Sequence, residues 1–392
     1  NQHSARRACT QLLAAAGSNS ARNSAISAPI SCVGGGRSLS APYVAASLPP
    51  AMLYLIQTAS ISLIQLPTIS IGKQPVALYT SDLCVQHDPG PMHPEQPARL
   101  ERLLSEMRTR WVPEFGEQWL QVREPRVDVT DEQVLRVHTR DHLNQVKRAF
   151  AGSQLLGRLE LDTDTFVSSG SAKAAKRAAG LVVAAVDDVC GARRSKSEPR
   201  RAFAMVRPPG HHAESDGPQG FCLWNNIMIG AAHAQAAHGV GRVAVVDFDV
   251  HHGNGGEDIA WDDPSRLYVS SHETPLYPGT GETRGKDGGY RNVVNAPLPA
   301  NAGSRAFRSA WSDLLLPAVR SFKPEVIFIS AGFDAHKDDP LANVNLNDED
   351  FAWVTRELCA MGKPIVSALE GGYNVDVLPG SVKAHIKALM NA

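Results

Sequence analysis

Short apolar runs alternate with longer helix-like segments from about Pro75 to the end of the chain. Four runs are apolar at nearly every position, as in strands buried on both faces of a sheet: Val243–Asp249, Leu267–Ser270, Val326–Ser330 and Pro364–Ser367. The segments between the runs predict helices over Ser171–Cys190, Asn226–His238, Ser304–Ser321 and Asp348–Met361. Strands separated by helices predict one α/β domain, in which helices cover both faces of a parallel sheet.

The first 75 residues differ in character from the rest of the chain. They are rich in Ser and Ala, their charge is positive throughout, and the first acidic residue is Asp82. This composition is typical of an organellar transit peptide, and it also fits a low-complexity tail that carries no address. We therefore predict a disordered leader over residues 1–75 and a catalytic domain over residues 76–392. The predicted location is the chloroplast or mitochondrion, with the cytoplasm or nucleus as the alternative.

Composition limits the classes of function. Lys plus Arg total 39 against 40 Asp plus Glu, so no net charge attracts the protein to nucleic acid or to an anionic membrane. The 6 cysteines are scattered without a CxxC pair, which indicates a reducing compartment and no cysteine-based zinc site. The most apolar stretch, residues 51–66, is broken by polar side chains and is shorter than the ~20 apolar residues of a membrane span. We predict an enzyme that binds neither nucleic acid nor membranes.

Polar side chains gather where three of the predicted strands end. Asp247 and Asp249 close one strand and lead into His251, while Asp334 and Tyr373 follow two others. Because functional residues of parallel sheets lie just beyond the carboxyl ends of the strands, we expect these side chains to share one rim. The imidazole of His251 and the carboxylates of Asp249 and Asp334 suit zinc, and they leave positions open for water and a carbonyl oxygen. Each Asp taken singly could instead cap a helix or end a strand.

Two adjacent histidines, His211 and His212, follow a Pro-Pro-Gly turn that could aim both imidazoles into one cleft. Histidine titrates near neutral pH, so the pair could supply the base and the acid that amide hydrolysis needs. Asp247 and Asn254 are candidates to orient these imidazoles. The hydroxyl of Tyr373 could donate to the oxyanion of a tetrahedral intermediate, although a packed aromatic residue would fit the same turn.

Six motifs in this chain stand in the order found in zinc-dependent histone deacetylases and their bacterial amidohydrolase relatives: RPPGHHAE, GFCLWNN, DFDVHHGNG, PGTGE, SAGFDAHKDDPL and EGGYN. The chain resembles this family from Leu78 to Leu389, and it is more similar to class II than to class I. With its leader, it is similar to plant or algal organellar members. The resemblance implies an arginase-deacetylase-like α/β fold with a central, mainly parallel sheet of about eight strands.

The resemblance also implies an activity and a set of roles. The activity is hydrolysis of N6-acetyl-lysine in proteins to lysine and acetate, with one zinc ion per chain. The family's zinc ligands correspond to Asp249, His251 and Asp334, and its tandem histidines to His211 and His212. The residue that polarises the substrate carbonyl corresponds to Tyr373. Asn254 stands where class I members carry Asp, and it should leave the neighbouring histidine less strongly paired.

The substrate tunnel of the family is walled by two aromatic residues, which correspond here to Phe221 and Tyr277. Gly220 lies beside the first, and Leu341 is expected near the mouth. Tyr277 replaces the more common Phe, and its hydroxyl leaves the acyl preference open. Asp164 is the candidate for the rim residue that holds the substrate backbone. A flat aromatic pair suits the apolar methylene stem of a lysine side chain.

Family members also hold a structural potassium ion through backbone carbonyls around the zinc strand. The residues that would bind potassium in this chain are Asp247, Asp249, His251, Ser270 and Ser271.

Three alternatives remain open from the sequence. The first is an amidohydrolase for small molecules such as acetylated polyamines. Leu341 argues against it, whereas Asp338 and Asp339 close by favour it. The second is a two-manganese ureohydrolase of the arginase type, which would need further carboxylates around the histidines. The third is a non-catalytic acyl-lysine-binding scaffold, although Tyr373 and every expected ligand are retained. The sequence leaves the oligomeric state undetermined.

Overall fold

A computed structural model of the chain describes residues 72–191 and 198–391. The predicted leader over residues 1–75 therefore lies almost wholly outside the described residues, and its targeting role stays a prediction. The first strand begins at Val76. Among the described residues, no helix is both long and apolar enough to cross a membrane.

Nine strands of the described residues form one sheet in the order β2-β1-β5-β11-β10-β6-β7-β9-β8, and two more form a separate hairpin. The strands of the sheet are β1 (Val76–Tyr79), β2 (Leu120–Arg123), β5 (Arg201–Ala204), β6 (Val243–Asp247), β7 (Arg266–Glu273), β8 (Gly285–Asp287), β9 (Val293–Leu298), β10 (Val326–Ala331) and β11 (Ile365–Leu369). The hairpin consists of β3 (Arg158–Asp162) and β4 (Thr165–Ser168). All neighbouring pairs in the sheet are parallel except β8 with β9. The predicted α/β class with a mainly parallel central sheet is confirmed.

Helices pack around this sheet. They are α1 (Ala98–Glu106), α2 (Val112–Phe115), α3 (Asp131–Val134), α4 (Arg140–Leu156), α5 (Ser171–Cys190), α6 (Asn226–His238), α7 (Asn254–Ala260), α8 (Ser304–Ala310), α9 (Leu316–Phe322), α10 (Asp348–Cys359) and α11 (Leu378–Asn391). One π-helical turn, Met107–Trp111, joins α1 to α2, and another, Trp311–Leu315, joins α8 to α9. Strands β6, β10 and β11 are buried at every position, which explains why nearly all of their residues are apolar.

Local signals in the sequence account for several helix ends. The side chain of Asn225 accepts a hydrogen bond from the backbone N–H of Met228 and caps the start of α6. A capping box between Asn347 and Asp350 starts α10. Helices α5 and α6 have the predicted bounds. The predicted helix over Ser304–Ser321 contains the second π-helical turn.

Strand β6 is shorter than its apolar run predicted. It ends at Asp247 because the carboxylate of Asp247 accepts a hydrogen bond from the backbone N–H of Asp249 at 3.1 Å, which turns the chain away from the sheet. Asp249 therefore lies just beyond the strand, in the bend that leads to His251.

Candidate metal centre and substrate cavity

Four adjacent strands supply the candidate site. In the order β5-β11-β10-β6 they are neighbours in the sheet, and the polar motifs of the sequence follow their carboxyl ends. The segment after β5 carries His211 and His212, the one after β10 carries Asp334, and the one after β11 carries Tyr373. The expectation of one shared rim is met because these strands adjoin in space, although they are far apart in the chain.

The three predicted metal ligands converge on one point. Nδ1 of His251 lies 3.1 Å from Oδ1 of Asp249 and 3.0 Å from Oδ2 of Asp334. One ligand atom from each residue lies within 4.8 Å of the other two, and all three side chains are buried. Burial alone would lower the pKa of His251, but the two carboxylates raise it to about 10. The site therefore favours positive charge at this point.

Two glycines line the carboxylates of this group. A Cβ atom on Gly332 would overlap Oδ2 of Asp249, and one on Gly371 would overlap Oδ2 of Asp334. The backbone N–H of Gly371 donates to Oδ2 of Asp249 at 2.8 Å, and that of Val250 donates to Oδ1 of Asp334 at 2.8 Å. Backbone donors and close glycines thus hold both carboxylates in fixed positions. The donor set of one imidazole and two carboxylates fits zinc.

The tandem histidines have different partners. Nδ1 of His211 lies 3.0 Å from Oδ2 of Asp247, whereas Nδ1 of His212 lies 2.8 Å from Oδ1 of Asn254. Burial alone would lower the pKa of His211, but the carboxylates of Asp249 and Asp247 raise it to about 10. Burial, together with the nearby His211 and His251, lowers the pKa of His212 well below its usual value. Adjacent imidazoles therefore have pKa values on opposite sides of neutrality.

Tyr373 lies near the same centre, with its ring 6.4 Å from that of His251. Its backbone N–H donates to Oδ2 of Asp339 at 2.7 Å, and the guanidinium of Arg99 stacks 4.8 Å from the centre of its ring. Burial and the charge of Asp334 raise the pKa of Tyr373 well above its usual value. The phenol therefore keeps its proton and can act as a hydrogen-bond donor.

A cavity of about 220 Å³ leads to this centre. Its lining includes all five residues that were predicted to contact the substrate: Asp164, Gly220, Phe221, Tyr277 and Leu341. The other lining residues are Leu276 and three residues of the centre, His212, His251 and Tyr373. The ring of Tyr277 meets that of His212 edge to face at 5.0 Å, and the ring of Phe221 meets that of Tyr373 at 5.8 Å. Asp164 is part of the wall itself, since its Oδ1 accepts from the N–H of Gly220 at 3.2 Å.

The residues predicted to hold potassium lie on two neighbouring strands and the bend that follows β6. Asp247 of β6 pairs in register with Ser270 of β7. The hydroxyl of Ser270 lies 2.8 Å from Nδ1 of His272, and that of Ser271 accepts from Nε1 of Trp311 at 3.0 Å. Both serine hydroxyls thus have protein partners, so potassium binding here would rest on other oxygen atoms.

Two residues near the centre, Glu370 and Arg99, were not predicted from the sequence. Glu370 accepts hydrogen bonds from the backbone N–H groups of Gly210 and His211, and burial raises its pKa to about 7. Arg99 donates to the carbonyl oxygens of Glu370 and Gly372, both at 2.6 Å. Glu370 stands in the EGGYN motif, which could have indicated it. Arg99 lies in α1 together with Arg102, and no sequence signal distinguishes it.

Comparison with known proteins adds to this geometry. The profile of the histone deacetylase domain matches residues 93–389. The chain belongs to the histone deacetylase family. The predicted family resemblance, of class II type, is therefore confirmed, and family membership supports deacetylase activity.

Relatives of this histone deacetylase family member include plant and cyanobacterial proteins. Histone deacetylase 14, chloroplastic, of Arabidopsis thaliana is 36% identical over 309 residues, which cover 76% of this chain and 73% of the relative. An uncharacterized protein of Synechocystis sp. is 38% identical over 318 residues, which cover 80% of this chain and 99% of the relative. The crystal structure of the HDA15 HD domain superposes with a TM-score of 0.73 at 33% identity, covering 81% of this chain and 88% of that one. This structural similarity confirms the arginase-deacetylase fold.

Proposed function

We propose that this protein is a zinc-dependent deacetylase that hydrolyses N6-acetyl-lysine in proteins to lysine and acetate. The observation that carries the proposal is a cavity between Phe221 and Tyr277 that leads to His251, with His212 and Tyr373 beside it. A lysine side chain is a long apolar stem with its amide at the far end. Such a cavity would hold the stem between aromatic faces and bring the amide to the buried polar groups.

Asp249, His251 and Asp334 would hold the zinc ion. When bound there, zinc would polarise the carbonyl of the acetyl group and lower the pKa of a water molecule. Two carboxylates that backbone N–H groups hold in position support a cation beside His251.

His212 is the proposed general base. The amide nitrogen of Asn254 donates to Oε1 of Glu214 at 2.7 Å, which turns its oxygen towards Nδ1 of His212. Nδ1 therefore carries the ring proton, and Nε2 has a lone pair. Because the pKa of His212 is lowered, the imidazole is neutral near pH 7 and can take a proton from the attacking water.

His211 is the proposed cationic partner of the base His212. Asp247 lies beside Nδ1 of His211 and favours the protonated ring, and this carboxylate, which also accepts from the hydroxyl of Tyr268 at 3.0 Å, holds the ring in place. We propose that this imidazolium stabilises negative charge as the water oxygen bonds to the acetyl carbon. The C–N bond then breaks, and the leaving lysine nitrogen takes the proton that His212 had accepted.

Tyr373 is the proposed donor to the oxyanion. Its hydroxyl keeps its proton because of its raised pKa, and the contacts with Arg99 and Asp339 hold the residue against the cavity. Preorganised donors of this kind stabilise the charge that develops on the carbonyl oxygen during amide hydrolysis.

The preference for protein substrates over acetylated polyamines rests on Leu341 and its neighbours. Leu341 lines the cavity and carries no charge to attract a second ammonium group. The carboxylate of Asp339 is buried and accepts from the N–H groups of Tyr373 and Leu341. These hydrogen bonds make it a poor site for a second ammonium group. Asp338 is partly exposed, and a polyamine assay therefore belongs in the test.

Two further proposals rest mainly on the family resemblance. We propose a structural potassium ion held by backbone oxygens near Asp247, Asp249 and His251, beside Ser270 and Ser271. We also propose that the protein acts in the chloroplast or mitochondrion. The composition of the leader supports an organelle, and the name of the Arabidopsis relative supports the chloroplast.

The test is hydrolysis of a fluorogenic acetyl-lysine peptide by the zinc-loaded protein, with an acetylpolyamine assay in parallel. Asp249→Ala and His212→Ala should each abolish peptide turnover. Asp376→Ala, which changes an exposed carboxylate near Tyr373 in sequence, should leave it unchanged. Turnover of the polyamine alone would indicate an amidohydrolase for small molecules. No turnover of either substrate would favour the non-catalytic scaffold.

A further inference from the structure

A second group of metal-ligating side chains lies where helices α5 and α6 pack together. Oδ1 of Asp187, on α5, lies 2.8 Å from Nε2 of His233 and 2.8 Å from Nε2 of His238, both on α6. One ligand atom from each of the three residues lies within 4.8 Å of the other two. Atoms that bind one ion at about 2.0–2.2 Å must lie this close to one another.

We propose that Asp187, His233 and His238 form a second metal site, which takes a borderline divalent ion such as Zn²⁺ or Co²⁺. Imidazole is the common protein ligand of these ions, and two imidazoles with one carboxylate make a familiar ligand set. The side chains of His233 and His238 are only 9% and 17% exposed, so packing holds both rings in position. The side chain of Asp187 is 53% exposed, and its open side gives solvent access for the ion and for water ligands.

This site is separate from the catalytic cavity. Helix α6 begins beside the tandem-histidine segment, where the side chain of Asn226 donates to the carbonyl of Pro208 at 2.9 Å. The helix has 13 residues and ends at His238, about 18 Å along the helix axis from its start. A bound ion would therefore join the end of α6 to α5 and stabilise the fold, independently of any deacetylase activity.

Arg136 opposes an ion at this site. Its Nη1 lies 2.8 Å from Nδ1 of His233, and a guanidinium can only donate. Nδ1 of His233 is therefore the acceptor, and Nε2 carries the ring proton that points to Asp187. Binding of a metal at Nε2 requires this proton to move to Nδ1, so Arg136 must withdraw. Its Nη2 already pairs with Glu132 at 3.0 Å, and the side chain of Glu132 is 83% exposed, so this pair can hold the guanidinium away from His233.

The experiment is measurement of zinc per chain by elemental analysis, after equilibration of the whole protein with zinc and removal of the free metal. Wild type should hold two ions per chain. His238→Gln keeps a hydrogen-bond donor for Asp187 but lacks the imidazole, and it should hold one. The control His336→Gln changes a histidine whose nearest carboxylates lie 3.7 and 3.9 Å away, and it should still hold two.

Two further measurements make the test independent of folding and of catalysis. Asp249→Ala should lose the other ion and keep the one at this site, and thermal melting without zinc should show that His238→Gln is folded. Arg136→Gln should bind the second ion about tenfold more tightly, because a neutral side chain replaces a cation. The proposal is overturned if His238→Gln holds as many ions per chain as wild type, or if Asp249→Ala holds none. Weaker binding by Arg136→Gln would contradict the role given to that residue.

Discussion

The carboxylate of Glu95 accepts two hydrogen bonds from the guanidinium of Arg207, and neither side chain reaches solvent. Glu95 also accepts from Nη1 of Arg99 at 2.9 Å, and Arg99 in turn holds the carbonyl oxygens of Glu370 and Gly372. One buried acid thus links the loop before α1 to the tandem-histidine segment and to the loop that carries Tyr373. The two arginines lower its pKa against the opposing effect of burial.

Glu95→Gln should lower the free energy of unfolding by about 3–5 kcal/mol, because it leaves two buried guanidinium groups without their counter-charge. Urea denaturation followed by circular dichroism measures this change. Glu114→Gln is the matched control, since Glu114 pairs with Lys383 on the surface, and it should have little effect. Equal stabilities of the two variants would show that the buried acid is not needed.

Asn254→Asp should move the acidic limb of the pH profile of kcat/KM to higher pH. A carboxylate beside Nδ1 stabilises the protonated form of His212 and so raises its pKa. The proposed base must be unprotonated to act, so a higher pKa means that activity is lost at a higher pH as the solution is acidified. A profile identical to that of wild type would rule out His212 as the titrating base.

Tyr373→Phe should lower kcat for the acetyl-lysine peptide by about 10²–10³-fold and change KM little, because it removes a donor that acts mainly in the transition state. Zinc content should remain that of wild type, since Tyr373 is not among the proposed ligands. A large rise in KM with unchanged kcat would instead mean that the hydroxyl serves substrate binding alone.

His385→Gln should reduce the fall of the unfolding free energy as the pH is lowered. Burial lowers the pKa of His385 from 6.5 to about 3, and its ring nitrogens lie 2.8 Å from the hydroxyl of Thr355 and 3.0 Å from that of Ser367. The unfolded chain takes up a proton below pH 6.5 and the folded one only near pH 3. This residue therefore contributes stability that is complete above pH 6.5 and is lost towards pH 3.

Urea denaturation between about pH 6 and pH 4 tests this prediction. The slope of unfolding free energy against pH should be smaller for His385→Gln than for wild type by up to about 1.4 kcal/mol per pH unit. Parallel slopes would mean that His385 becomes protonated in the folded protein in this range.

The sequence by itself determined the fold class and singled out the side chains of the candidate site. Continuous apolar runs such as Val326–Ser330 can be buried on both faces only in a covered parallel sheet, and they predicted it. Asp249, His251 and Asp334 could be singled out because ligand types at strand ends are visible in the chain itself. Helices α5 and α6 were predicted with their bounds because apolar periodicity and capping residues are local signals.

Only the tertiary structure decided which strand ends meet and what surrounds each group. The order β5-β11-β10-β6 depends on contacts between distant segments, and β5 and β11 are more than 100 residues apart, which no local pattern encodes. Burial lowers the pKa of both histidines, but Asp249 and Asp247 reverse this shift at His211, whereas His211 and His251 deepen it at His212, although the two histidines are adjacent in sequence. Arg99 and the group of Asp187, His233 and His238 were invisible for the same reason. Electrostatic interactions depend on separation in space, and the chain alone does not specify that separation.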